Sequence, residues 1–108
     1  MEVIKLNQIK GVKRWDGVLT REVIHNEDTK VMNLVLEAED EVPEHSVPVN
    51  VFFYIVEGKG TLQIGEEERV VAAQDIIPCA PNTRMSLRAD QGEKFVVLNV
   101  KTPSLSSL

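Results

Sequence analysis

Short runs of alternating or wholly apolar residues recur along this chain about every ten residues, each closed by Gly, Pro, Asn or Asp. A sequence punctuated in this way cannot sustain the long 3.6-residue apolar stripe of an amphipathic helix. It suits short antiparallel strands in a sandwich or barrel. The residue types agree: sixteen Val and seven Ile, with few aromatics, favour pleated sheet, where β-branched side chains pack well, over helix, where they lose rotamer freedom. We therefore expect an all-β protein with little or no helix.

The spacing predicts strands over residues 18–24, 30–36, 49–56, 61–64, 69–72, 75–78, 84–88 and 94–101. Between them lie the polar stretch 25–29, the acidic run 37–41, a turn at 57–60, a hairpin turn at 65–68, a loop at 81–83 and a turn at 90–93. Pro43 and Pro48 forbid a helix and mark a loop or a strand edge. With 108 residues the chain is too short for two ordinary domains, and 43% hydrophobic residues can build a core without disulfides or a structural metal. Residues 1–101 are expected to form one domain and the Ser-rich stretch 102–108 a flexible tail.

A formal charge of −5 argues against nucleic acid as a partner, since phosphate recognition needs a basic footprint. The densest basic run, Lys10, Lys13 and Arg14, reads as a solvated loop. A single cysteine, Cys79, excludes an intrachain disulfide framework. Residues 1–10 lack the apolar core of a signal peptide, and no apolar run approaches the roughly 18 residues of a spanning helix. The expectation is a cytoplasmic protein with no membrane partner.

Residues 43–101 resemble the cupin family, whose members are jelly-roll barrels of two sheets, also called double-stranded β-helices. The resemblance rests on Pro43-Glu44-His45-Ser46-Val47, running into the strand and glycines from Val51 to Gly60, and on a second segment from Gln74-Asp75-Ile76-Ile77-Pro78 to Met85. It implies a cupin-like barrel. The family holds a metal through two histidines and a glutamate in its first motif and a histidine in its second. Aligned on Gly58, those positions fall at His45, Val47 and Val51, and the second-motif histidine falls at Met85. In the same motif Gln74 stands for the usual Gly, Ala80 for the usual Pro and Asn82 for the turn Gly.

Strand periodicity leads to the same place. His45, Val47, Val51, Phe53 and Ile55 share one face of an extended strand, and Met85 lies on the apolar face of its own. Valine donates nothing to a cation and a thioether is a soft, weak ligand, so one histidine is left where several imidazoles or carboxylates are needed. We expect a barrel interior lined by His45, Val47, Val51, Phe53 and Met85, without a metal or other cofactor.

Other residues carry weaker signals. His45 is a relic pocket histidine, or a general base lacking an orienting partner; Glu44 points to the opposite face. Met32 belongs to the core and Cys79 is an inert thiol. His25 is a solvated residue at a strand end, and Trp15 plugs the edge of the core. The acidic run lacks the Gly and oxygen spacing of a calcium loop. Phe52, Tyr54 and Val56 face away from the pocket and need cover, from the N-terminal strands or from a second copy of the chain. Together with the resemblance this suggests a homodimer.

The function expected on these grounds is a small metal-free cupin-like protein that binds an apolar or amphipathic small molecule in its barrel and catalyses no assignable reaction. Two alternatives stand beside it. One is a metal-dependent dioxygenase or isomerase with unconventional ligands, His45, Cys79 and His25. The other is a structural or regulatory homodimer with no ligand.

Overall fold

The computed structural model describes residues 1–104. Nine strands and one 3-10 turn, Leu6–Gln8, make up its regular structure. The strands are β1 (Val12–Arg14), β2 (Val18–His25), β3 (Lys30–Leu36), β4 (Glu41–His45), β5 (Asn50–Ile64), β6 (Glu67–Ala72), β7 (Ile76–Cys79), β8 (Met85–Ala89) and β9 (Phe95–Thr102). Every pairing is antiparallel. The all-β expectation holds. Among the described residues no helix is long and apolar enough to cross a membrane.

One long strand organises the molecule. The first half of β5 pairs with β9 and β7, in a sheet that runs β1-β2-β3-β9-β5-β7. Its second half pairs with β8 and β6, and β8 carries the edge strand β4. β5 therefore passes from one sheet to the other and folds the two into a jelly roll around a common interior. Proline is tolerated at Pro43 because β4 lies at the sheet's edge, where an amide donor is dispensable.

The turn expected at residues 57–60 is absent. The chain runs straight through as β5, with a bulge at Val56 between Ile55 and Glu57 in its pairing with β9. The glycines serve the bend instead. Gly58 sits at φ +83°, and a Cβ there would collide with the Lys94 carbonyl, while one on Gly60 would meet the Phe95 ring. Both make room for the crossing of β5 over the start of β9.

Alternate residues of each strand fill the interior. Phe53, Phe95, Leu36, Ile55, Met85 and Leu87 are fully enclosed, and Trp15 packs against the edge of this core. The outer face of the larger sheet is also apolar: Phe52, Val56 and Ile76 are exposed there, and the N-terminal strands do not cover them. At the other end of the chain, Thr102 closes β9 and Ser104 bonds the Glu27 carbonyl through its amide and its hydroxyl. Residues 105–108 of the expected tail lie outside the described residues.

Candidate functional site

Strand register sets His45, Met85, Val51 and Phe53 in inward rows of the two sheets. In the smaller sheet His45 lies opposite Met85, and Met85 opposite Ile64. A bulge between Val42 and His45 keeps both of these facing inward although three positions separate them. In the larger sheet Val51 stands between Cys79 of β7 and Lys101 of β9, and Lys101 faces Lys30 of β3. The next inward row is Ile77, Phe53, Asn99 and Met32. Val47, Val51, Phe53 and Met85 are buried, and His45 is half-buried with Nδ1 3.0 Å from the Pro43 carbonyl oxygen. In the tautomer that donates this bond, Nε2 is the acceptor nitrogen.

The donor set does not fit a first-row transition metal. At the positions that the cupin resemblance implies for metal ligands, His45 is the sole imidazole, with two valines and a thioether. The unconventional alternatives are not brought to it. His25 is exposed and pairs with Glu22 at 2.8 Å. Cys79 is buried, and burial raises its thiol pKa, which keeps it protonated and unreactive. Among the described residues no three His, Cys, Asp or Glu side chains gather into a cluster that could hold a metal ion. The acidic run forms a turn held by Asp40, whose carboxylate accepts the Glu37 amide at 2.9 Å.

The interior is not lined by apolar groups alone, as the motif positions by themselves suggest. Lys101 is 0% exposed, Asn99 3% and Lys30 5%. All three face inward in the rows that carry Val51 and Phe53. The Lys101 ammonium and the Asn99 side-chain oxygen have no hydrogen-bond partner among the described residues. Burial, and then repulsion from Lys30, lowers the Lys101 pKa to about 8. Sequence reasoning missed these groups because β3 and β9 are apolar on both faces, so alternation does not say which face turns inward. The one available signal is that Lys101 shares its parity with Phe95 and Val97, both of which prove fully buried.

A groove of about 550 Å³ opens between β6 and β7, with Leu62, Ile64, Val71 and Ile77 in its lining and Glu67 and Arg69 beside them. These two are joined by an ion pair of 2.7 Å. None of His45, Val47, Val51, Phe53 or Met85 borders this groove. Its lining residues Ile64 and Ile77 are, however, the cross-strand neighbours of Met85 and Phe53. The groove therefore lies one strand away from the inward rows described above.

Comparison with known proteins agrees with this architecture. Residues 32–101 match the model of the cupin domain, and the chain belongs to that family. Among solved structures it is similar to an RmlC-like cupin from Shewanella frigidimarina, with 14% identity over 98% of this chain and 95% of that one and a TM-score of 0.87. KdgF from a Halomonas species gives 14% identity, 96% of each chain and a TM-score of 0.87. The polyketide cyclase RemF from Streptomyces resistomycificus gives 15% identity, 96% of this chain, 80% of that one and a TM-score of 0.83. At such identities the likeness is one of fold, and cupin folds host unrelated activities. No protein of curated function matches the sequence.

Proposed function

We propose that this cupin domain is a metal-free binding protein that takes a small amphipathic molecule into the barrel, between the row of His45 and Met85 and the rows of Val51 and Phe53. The observation that carries this reading is the donor chemistry at the family's ligand positions: two valines and a thioether surround a single imidazole. Buried Val47, Val51, Phe53 and Met85 suit the apolar body of a ligand, with half-buried His45 as an orienting polar group. The groove between β6 and β7 is of the size that small ligands occupy, and its Ile64 and Ile77 are cross-strand neighbours of Met85 and Phe53. A cytoplasmic setting suits the lone buried thiol of Cys79.

The exposed apolar face bearing Phe52, Val56 and Ile76 supports a homodimer formed through the larger sheet. A second copy would cover what the N-terminal strands leave open.

Two measurements test the reading. Metal analysis of protein purified without a histidine tag should find substoichiometric transition metal. One tightly bound equivalent, lost in His45→Ala, would establish the metal enzyme in its place. A thermal-shift screen of small organic molecules should find at least one stabilising compound, because a ligand at about 100 times its dissociation constant adds roughly 2.7 kcal/mol. A screen without any stabilising compound would leave a structural dimer as the better account.

A further inference from the structure

The interior rows hold a mismatch that packing alone does not resolve. A buried ammonium is costly unless paired, yet Lys101 is fully enclosed and its Nζ has no partner among the described residues. Among the described residues no buried carboxylate supplies the counter-charge. None of the chain's seventeen acidic side chains is buried. The inward neighbours of Lys101 are Lys30, Val51 and, one strand further, Cys79, so the nearest charge along its row is of the same sign. Two positions back on the same face, the Asn99 side-chain oxygen lacks a donor. An unmet donor that is cationic and an unmet acceptor thus stand side by side on one inward face, and buried polar atoms in native proteins are nearly always satisfied.

Position adds a second argument. Val51, the register partner of Lys101, stands where the family carries the glutamate of its metal site. At this position the chain has an apolar side chain, and a covalently attached cation stands in the adjacent one.

We propose that Lys101 and Asn99 form the recognition end of the barrel site and that the ligand is a small carboxylic acid bearing a hydroxyl or N–H donor near its carboxylate. The carboxylate accepts from the Lys101 ammonium in a charge-assisted hydrogen bond, and the donor satisfies Asn99 Oδ1. The apolar remainder lies against Val51, Phe53 and Met85. The lowered Lys101 pKa, from burial and then from Lys30, agrees with an ammonium that no described residue compensates. This inference rests on the barrel-binding reading above and specifies its ligand class.

The test is a thermal-shift and calorimetry series on the full chain with small aliphatic and aromatic acids, their hydroxy acids, and the methyl ester of each. Acids should stabilise the wild type, hydroxy acids more than their deoxy counterparts, and the neutral esters should not. Lys101→Met should weaken acid binding by about 10- to 100-fold, the loss expected for a charge-assisted hydrogen bond. Asn99→Leu should erase the advantage of the hydroxy acids while keeping the preference for acid over ester. Esters binding as well as acids, or acids binding Lys101→Met as tightly as wild type, would overturn the assignment while leaving the binding function intact. Should no acid and no ester bind while another compound of the wider screen does, the ligand class falls alone; should nothing bind, both readings fall. Lys101→Gln, which keeps a polar end without the charge, guards against a packing effect and should lose acid binding to the same degree.

Discussion

Replacing Lys101 by Met should make this protein more stable, by an amount that depends on pH in a defined way. The side chain is fully enclosed yet lies near the barrel's end, one residue before the close of β9, so its pKa falls only to about 8 from an ordinary 10.5. That gap corresponds to about 3 kcal/mol of cost for the charged form, from burial first and then from repulsion by Lys30. Below pH 8 the amine is protonated in the folded and the unfolded chain alike, and the fold carries the whole penalty. Between about 8 and 10.5 the unfolded chain keeps a proton that the folded one has released, so wild-type stability rises with pH. Above that range the amine is neutral in both states and the penalty has gone. Methionine matches the length of the lysine stem and needs no counter-charge. At pH 7 Lys101→Met should therefore gain about 3 kcal/mol, or roughly 10–15 °C in Tm for a domain of this size. The gain should be flat below pH 8 and shrink towards zero near pH 10.5. Urea titrations of both proteins at pH 6, 7, 9 and 10.5 read it directly. A variant equal to or weaker than wild type at pH 7 would mean that the ammonium is already compensated in the free protein, and the argument for an anionic ligand would lose its basis.

Three further outcomes are expected. Phe53→Ala, at a fully enclosed position between Asn99 and Ile77, should cost about 3–5 kcal/mol through lost burial and a residual cavity; a urea midpoint close to that of wild type would show that the interior collapses around the gap. Gly58→Ala should cost about 2–3 kcal/mol or more, because the residue sits at φ +83° with the Lys94 carbonyl where a Cβ would go, and wild-type Tm in this variant would contradict the account of the β5 bend. Phe52→Glu combined with Ile76→Glu, on the exposed face of the larger sheet, should shift sedimentation from dimer to monomer without changing the far-ultraviolet spectrum. A wild-type protein that sediments as a monomer at micromolar concentration would remove the dimer proposal.

Much of the fold was legible along the chain because it is written in local chemistry. The strand at 30–36 is found at its expected bounds, Lys30–Leu36, since polar and acidic turns flank it on both sides. Asn82, at φ 61°, marks its loop through the tolerance of Asn for the left-handed region. The inward orientation of Val51, Phe53 and Met85 was legible too, from alternation along their strands, and all three are buried. The glycines at 58 and 60 misled. Glycine signals a position that a side chain cannot occupy, and a tight turn is only one cause of that. Here the cause is the close passage of β9, some 35 residues away along the chain.

Sequence by itself determined that the protein is an all-β barrel domain of the cupin family, with one imidazole, two valines and a thioether at the positions that the resemblance implies for metal ligands. Only the tertiary structure decided that Lys101, Asn99 and Lys30 turn inward beside Val51 and Phe53. Lys101 ends a strand whose two faces are both apolar, and at a strand's end a lysine reads as a solvated residue. Which face turns inward is settled by pairing with β3 on one side and β5 on the other. The environment of Lys101 is therefore fixed by residues more than forty positions away, and no local pattern records it.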